Sequence, residues 1–407
     1  MVKEFLMFIK ELIEKYRTKW FLLLLLPFFI ALLIFLGIKL PSKKESAKPP
    51  TIVFTQWWEK DADKELLLEI ISEFESLHGD FKIILNTCSY EDLRLALFQG
   101  APIGESTSLG DVIALDPLWV SELSKNEIVE NINANPVSFI NILYYNINLL
   151  KGAGFSRPPK TRGEFLAYAR SLIGSKGNQA GLALGMNSSR GIYDNILPWL
   201  WSAGLQLIKD GKPQVNSRQV VDCLSFLASL YSEGLLTPQS FAESPAEKLE
   251  DFVSGKAAFI IAPASEIGFV RERMGDEAFG VTSIPIPDNY AGKSFFAVSA
   301  WTAGVFSASA HKEEAKLFAD FLAEKAAFIS EKMNAIPGNG VPPAYDVFYS
   351  KVWDIAIAGE MAQDFSGLNW TALEESFREE LLALFGGRAT AAQTASAIQK
   401  RWEAIIP

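Results

Sequence analysis

The chain has 407 residues, 49% of them hydrophobic and 21% charged, which predicts a largely folded protein with two lobes and an appendage rather than one ordinary core. Residues 1–50 hold nine Lys/Arg and four Asp/Glu, a net charge of +5, so the total of −10 leaves −15 on residues 51–407. An acidic body lacks the basic surface that binds phosphates, which argues against a nucleic-acid partner.

Cysteine and histidine are too scarce and too scattered to predict a metal site. Cys88 and Cys223 show no metal-ligand spacing, and we favour two separate thiols over a disulfide between them. The two histidines, His78 and His311, are too few for a typical zinc site and make a histidine general base an unfavoured hypothesis. We expect no metal and no cofactor.

Trp20 to Ile38 is an uncharged run of 19 residues, which predicts a transmembrane helix because ~1.5 Å per residue spans roughly the hydrocarbon core. We expect residues 1–19 in the cytoplasm, 20–38 as an uncleaved anchor and 39–50 as a polar, Pro-rich linker. A cleaved signal peptide is the alternative, although no cysteine follows the run for lipoprotein processing. Five Lys/Arg precede the run and four follow it, so the charges favour an inside N-terminus only weakly.

The first part of the body alternates strand and helix patterns. Strands are predicted at Thr51–Phe54, Phe81–Leu85 and Val112–Leu115, and helices at Ala62–Leu77 and Glu91–Phe98. This β-α-β-α-β order predicts a parallel sheet with helices on its faces, and therefore an α/β fold.

The second part combines longer helices with fewer strands. Helices are predicted at Thr161–Ile173, Gln219–Tyr231, Lys312–Phe328 and twice near the C-terminus, around Leu373–Leu384 and Ala395–Trp402. Strands are predicted at Ala257–Ala262 and Phe279–Ile284.

Six segments are informative because of their order along the chain. They read TIVFTQWWEKD, LGDVIALDPLWVSELSKNEIVENI, LYYNINLLKGAGFSRPPKTRGEFLAYARSL, FVSGKAAFIIA, HKEEAKLFADFL and GGRATAAQTASAIQKRW. Together they resemble the bacterial extracellular solute-binding proteins of family 1, the sugar-binding group that includes maltodextrin-binding proteins, over nearly all of residues 51–407. The third segment, with its Tyr-Asn hinge strand and Pro-Pro-Lys-Thr turn, is the most specific.

The resemblance implies a two-lobe fold of the type II periplasmic-binding-protein class, with a cleft between the lobes that closes on a ligand by a hinge motion. It implies one lobe from residues 51–146 and 297–333 and a second from residues 147–296 and 334–407. It also implies a sugar ligand and, as protein partners, the permease subunits of an ABC transporter.

Two departures from the family pattern concern the cleft. The loop from Gly104 to Gly110 contains extra residues, and Gly110 stands where the family commonly has proline. Ala264, Ser265 and Glu266 stand where a tryptophan is common, so one stacking wall is expected to be either lost or replaced by a polar contact.

A sugar site needs aromatic platforms for the apolar ring faces and Asp, Glu, Asn or Arg for the hydroxyl rim. Candidates follow the first three predicted strands: Trp57, Trp58 and Glu59 after the first, Tyr90 and Glu91 after the second, and Asp116 after the third. Glu91 is also placed to favour a helix dipole, and Asp116 to cap a helix.

Four further aromatic residues are candidate ligand contacts. They are Tyr145 at the hinge, Trp199 on a helix of the second lobe, Trp301 at the end of a predicted crossover strand and Trp370 before the penultimate helix. Arg190 and Asp194 are weaker candidates and are expected on the surface.

No enzyme motif is complete. Gly292-Lys293-Ser294 lacks the glycine that a phosphate loop needs five residues earlier, where Pro287 stands. The pairs Glu374-Glu375 and Glu379-Glu380 fit a solvated helix face. We therefore expect a membrane-anchored, extracytoplasmic solute-binding protein that is not an enzyme.

Alternatives to this function remain open. A tethered ligand sensor or scaffold would use the same fold, and a tethered glycoside hydrolase needs only two carboxylates at a defined separation. Iron and polyamines are alternative ligands, but the ten tryptophans favour a sugar.

Overall fold

The computed structural model describes residues 50–58, 64–103, 109–130, 132, 137–176, 179–333, 335, 346–362 and 365–406, together with residues 7, 10, 11 and 14. By its internal contacts the chain divides into residues 1–49 and 50–407. The predicted anchor at 20–38 and nearly all of the predicted linker at 39–50 lie outside the described residues. Within the described part of the chain, no helix is both long and apolar enough to cross a membrane.

The first sheet confirms the predicted β-α-β-α-β order. Strand β1 (Thr51–Gln56) lies between β2 (Lys82–Thr87) and β3 (Val112–Leu115) and pairs with both in parallel. The connections are α1 (Lys64–Leu77) and α2 (Tyr90–Gln99), and α3 (Pro117–Lys125) follows β3. Helix α1 is amphipathic because Leu67, Ile70 and Phe74, spaced three and four residues apart, form one buried face.

Two long strands join this sheet to a second one. Strand β12 (Val298–Phe306) pairs antiparallel with β3 through Thr302–Val305, and with β5 (Val137–Asn146) through Val298–Trp301. Strand β5 continues into the second sheet, where it pairs antiparallel with β9 (Ala257–Pro263) and β10 (Phe279–Thr282). Because β5 and β12 connect the two sheets, we call them the hinge strands, and each sheet with its helices a lobe.

Among the described residues, nine strands form the main sheet, seven of them in one continuous path. Its order is β2-β1-β3-β12-β5-β9-β6, with β4 (Val129–Glu130) on β12 and β10 on β5. Strand β6 (Ala180–Ala183) is parallel to β9, so the second sheet is mixed. Two short pairs lie apart from it: β7 (Ile208–Lys209) with β8 (Lys212–Pro213), and β11 (Phe295–Phe296) with β13 (Glu360–Met361). The residue limits given above for the two lobes stay a prediction.

The remaining helices cover the sheets. They are α4 (Ile147–Gly152), α5 (Arg162–Lys176), α6 (Gly191–Asn195), α7 (Leu197–Trp201), α8 (Arg218–Ser232), α9 (Pro245–Val253), α10 (Ile267–Met274), α11 (Lys312–Glu324), α12 (Ala326–Lys332), α13 (Val347–Ala358), α14 (Trp370–Phe385) and α15 (Ala391–Ile405). Helix α11 returns to the first sheet, where Phe318 packs against Phe54. Helices α14 and α15 pack together in the second lobe, where Trp402 contacts Phe377. Cys88 and Cys223 are free thiols, as predicted.

Candidate functional site

A cavity of 380 Å³, here called the cleft, lies where the loops after β1, β2 and β3 face loops of the second lobe. The first lobe contributes Trp57, Tyr90, Glu91 and Asp116. The second lobe contributes Ser188, Arg190, Asp194, Lys248 and Glu266, and hinge strand β12 contributes Ser299 and Trp301. This is the carboxyl-end position at which open α/β sheets bind their ligands.

Arg190 joins the two lobes inside the cleft. Its Nε and Nη2 donate to the two carboxylate oxygens of Asp194, each at 3.0 Å, and its Nη1 donates to Asp116 Oδ2. Nη2 also donates to Ser299 Oγ at 2.8 Å. Burial alone lowers the pKa of Arg190, but the charges of Asp116 and Asp194 raise it well above its ordinary value. The guanidinium therefore stays charged and is held by both lobes.

The expectation that Arg190 and Asp194 lie on the surface is wrong. Their side chains are only 8% and 15% exposed. A buried arginine needs counter-charges, and the sequence does carry a signal for one of them, because Arg190 and Asp194 are one helical turn apart. The other counter-charge, Asp116, is 74 residues away, and no local pattern predicts that pairing.

Asp116 has one of the two roles that the sequence left open, the helix cap, and it also lies in the cleft. Its Oδ1 accepts a hydrogen bond from Leu118 N at 2.9 Å and so caps α3. Its Oδ2 accepts from Tyr90 Oη at 3.0 Å as well as from Arg190. Burial and the charge of Asp116 raise the pKa of Tyr90 well above its ordinary value, so its hydroxyl remains a donor.

Glu91 makes a second direct contact between the lobes. Its Oε1 accepts from the Ser189 backbone N at 2.8 Å, from Ser189 Oγ at 2.9 Å and from Ser188 Oγ at 3.2 Å. Helix α14 supports this serine loop from behind, where Arg378 Nη2 donates to Ser188 O at 2.5 Å and Trp370 Nε1 donates to Ser189 O at 3.4 Å. The loop is therefore fixed on both sides.

Glu374 corrects the expectation of a fully solvated face on α14. It is 5% exposed, accepts from Ile192 N at 2.9 Å and pairs with Arg378 at 2.5 Å. Burial raises its pKa to about 7, although the charge of Arg378 lowers it. The carboxylate satisfies a free N–H in the first turn of α6, which positions Arg190 at that helix start. Glu375 and Glu379 are exposed.

Lys248 is a cleft residue that sequence reasoning missed. It lies in α9 and is 3% exposed, and its Nζ donates to Asn195 Oδ1 at 3.0 Å and to Ile261 O at 2.6 Å. Burial lowers its pKa to about 8, against the charges of Asp194 and Glu266, which raise it. A lysine inside a charged helical segment is ordinarily solvated, so the sequence held no signal for this one.

Aromatic rings form the floor of the cleft near the hinge. Trp301 stacks on Trp58 with ring centroids 5.3 Å apart and planes 9° apart, and it lies 4.8 Å from the Phe139 ring. Trp57 meets Tyr90 edge to face at 5.1 Å. Trp57 and Trp301 line the cavity, whereas Trp58 lies behind Trp301.

The structure brings five of the ten predicted ligand residues together, namely Trp57, Tyr90, Glu91, Asp116 and Trp301. Trp58 stacks on Trp301, Trp370 contacts the serine loop at Ser189, and Glu59 lies outside the described residues.

Two predicted residues are placed elsewhere. Trp199 is fully buried between Phe165 and Phe226, because every residue of the short helix α7 is apolar and packed in the second lobe. Tyr145 lines a different cavity of 610 Å³, beside Phe296 and Ile355.

Gly110 occupies a backbone conformation that proline cannot adopt. Its φ is +86°, whereas proline is fixed near about −65°. A Cβ at this position would lie 2.8 Å from Val53 O, because the loop passes directly against β1. The next residue, Asp111, accepts from Val53 N at 2.8 Å and completes this close approach. Residues 104–108 of the extended loop lie outside the described residues.

Comparison with known proteins agrees with this architecture. The pattern of the bacterial extracellular solute-binding proteins matches residues 53–327. A probable ABC transporter-binding protein of Deinococcus radiodurans is 26% identical over 201 residues, which cover 42% of this chain and 47% of that protein. The match thus spans about half the length of that relative.

Solved structures share the fold at low sequence identity. The GacH receptor of Streptomyces glaucescens, studied unliganded and with acarbose, has a TM-score of 0.73 at 16% identity and covers 88% of this chain and 98% of its own. An ABC transporter solute-binding protein of Thermotoga lettingae, bound with α-D-tagatose, has a TM-score of 0.71 at 17% identity and covers 88% and 100%. The family pattern matches more than half of this chain, so the chain belongs to the bacterial extracellular solute-binding protein family.

Proposed function

We propose that this protein captures a mono- or oligosaccharide outside the cytoplasm by closing its two lobes, and that it delivers the sugar to an ABC permease. The observation that carries the proposal is the composition of the cleft, where Trp57 and Trp301 stand beside Glu91, Asp116 and Lys248. A sugar offers apolar ring faces to aromatic side chains, and its hydroxyls donate to carboxylates and accept from amines. Structural relatives with acarbose and with tagatose support the same ligand class.

The hinge strands give the capture its mechanism. The cleft combines residues of both lobes, so a ligand can contact all of them only in the closed arrangement. Such a ligand stabilises the closed population, because it binds that state more tightly than the open one. Strands β5 and β12 are the elements about which the lobes would rotate.

The proposal is binding without turnover. Asp116 and Asp194 are both occupied by Arg190, whereas a glycosidase directs two carboxyl groups at the scissile bond. The uncharged run Trp20–Ile38 would tether the body to the membrane, with residues 39–50 as a linker, and keep it near its permease.

A thermal-shift screen of the full chain in detergent micelles tests the ligand class. The panel contains mono- and oligosaccharides, amino acids, polyamines and ferric ion. A ligand of the native state stabilises it by about 2.7 kcal/mol at a hundredfold excess over Kd. We therefore expect a clear rise in midpoint with one class of sugar.

Matched tryptophan variants place the binding site. The sugar-dependent rise should be lost in Trp57→Ala and Trp301→Ala and kept in Trp353→Ala, a half-buried tryptophan of α13 that does not line the cleft. A response to polyamine or iron alone would replace the sugar by that ligand. No response to the whole panel would contradict the proposed capture of these classes.

A further inference from the structure

The two lobes touch each other directly across the cleft. Asp116 of the first lobe meets Arg190 of the second, and Glu91 meets the hydroxyl and backbone groups of Ser188 and Ser189. We call these five residues the interlobe bar. Four of them line the cleft, so the bar is one of its walls.

We propose that the interlobe bar limits the ligand to one or two sugar rings and excludes longer oligosaccharides. The inference rests on the proposed function, since it names the ligand class of the same cleft. A chain of several rings needs a groove that continues between the lobes. Where Asp116 contacts Arg190, protein groups fill that space.

The bar resists displacement by a ligand. The Arg190 and Asp116 side chains are 8% and 4% exposed, and the contact between them is a charge-assisted hydrogen bond. A sugar hydroxyl inserted there would replace it with weaker neutral hydrogen bonds and leave two buried charges separated. Arg190 cannot swing aside, because Asp194 and Ser299 hold its other nitrogens.

The serine half of the bar is equally constrained. Glu91 holds Ser189 from the first lobe, while Arg378 and Trp370 of α14 hold the backbone carbonyls of the same loop. Movement of the loop away from a long ligand would break contacts on both of its sides.

The space beside the bar suits a short ligand. Its volume of 380 Å³ lies in the lower part of the range of about 300–1,000 Å³ for small-molecule sites. Trp57 and Trp301 offer apolar surface there. Lys248 has three N–H donors and uses two of them on Asn195 and Ile261, so a third is available to a ligand oxygen.

The bar also predicts that part of the ligand-free protein already adopts the closed arrangement, which can be measured independently of any sugar. Spin labels are attached to the full chain in detergent micelles at Glu69→Cys on α1 and Asp222→Cys on α8, both exposed, after Cys88→Ser and Cys223→Ala. Electron-electron resonance should give a short interlobe distance for the closed arrangement and a longer one for the open arrangement. Asp116→Asn should shift much of the short-distance population to the longer distance.

The choice of variants separates the bar from general damage. Asp116→Asn keeps an oxygen to accept from Leu118 N, so the cap of α3 and the fold are retained. Arg170→Gln removes an exposed ion pair, in which Arg170 Nε lies 2.6 Å from Glu233 Oε2. The spin-label distance distribution of this variant should equal that of the protein with an intact bar. A ligand-free protein with no short-distance population, or identical distributions with and without Asp116→Asn, would overturn the inference.

The second measurement is a chain-length series by calorimetry. It uses glucose, maltose, maltotriose and maltotetraose, and the matching series of any other sugar that raises the thermal midpoint. Affinity should fall by roughly tenfold or more between two and three rings, and Asp116→Asn should reduce that step. Equal affinities for two and four rings would overturn the inference and leave the proposed function intact, whereas silence with every sugar would contradict the proposed function itself.

Discussion

The two lobes build their shares of the cleft in different ways. In the first lobe, Trp57, Tyr90 and Asp116 each come shortly after one of three neighbouring parallel strands. In the second lobe, Arg190 and Lys248 come from the starts of helices α6 and α9, and what fixes them lies far along the chain. The first lobe thus uses strand position, and the second uses tertiary contacts.

The difference shows which site residues topology alone can place. Parallel strands bring their carboxyl ends to one edge, so any residue after them is a candidate before its partners are known. Arg190 depends on Asp116, and the loop before it depends on Arg378, nearly two hundred residues later. A substitution in the second lobe should therefore disturb residues far away along the chain more than one in the first lobe does.

The largest change in the free energy of unfolding is expected from removal of the Arg190 charge. Arg190→Met leaves Asp116 and Asp194 as buried carboxylates without their counter-ion, which should lower the free energy of unfolding by about 3–5 kcal/mol. Arg170→Met, which breaks the exposed pair with Glu233, should cost about 1 kcal/mol or less. Urea unfolding of both variants measures the difference. Equal costs would show that the buried cluster adds no more stability than a surface pair.

A smaller, pH-dependent change in the free energy of unfolding is expected at Glu374, which holds the start of α6 in the second lobe. Its pKa is raised to about 7 by burial, from about 4.3 in the unfolded chain, so the folded protein binds the extra proton between these values. The stability that this group contributes is fully present below about pH 4.3 and is lost as pH rises through 7. The loss amounts to up to about 1.4 kcal/mol per pH unit.

Glu374→Gln tests this sign, because glutamine does not titrate and still accepts from Ile192 N. The unfolding free energy of the wild type relative to this variant should fall from pH 4.5 to pH 7. Glu375→Gln, on the exposed face of the same helix, is the matched control variant. A rise of the Glu374 difference with pH would show that Arg378 outweighs burial.

The accuracy of the sequence predictions follows the same division between lobes. The parallel sheet and the cleft residues after β1, β2 and β3 follow from hydrophobic pattern and chain order, whereas the hinge came from the family resemblance. Trp199 was misplaced because an aromatic pattern cannot distinguish a cleft wall from a core, and here it packs between Phe165 and Phe226. Arg190 was expected on the surface and Lys248 was missed, because a charged residue is usually solvated and long-range packing is what buries these two.

The smallest effect is expected at Trp370, and it decides whether this predicted ligand residue touches ligand at all. The ring is 3% exposed and packs on Phe365 and Tyr193, and its Nε1 donates to Ser189 O at a long 3.4 Å. Trp370→Phe keeps most of that packing and removes one weak hydrogen bond. The free energy of unfolding should therefore fall by about 1 kcal/mol. Sugar affinity should fall less than about tenfold, because the serine loop loses one of its two supports from α14. Trp353→Phe on α13 should leave the affinity unchanged. Loss of binding in Trp370→Phe, with stability preserved, would instead place the tryptophan in direct contact with the sugar and move the boundary of the cleft to α14.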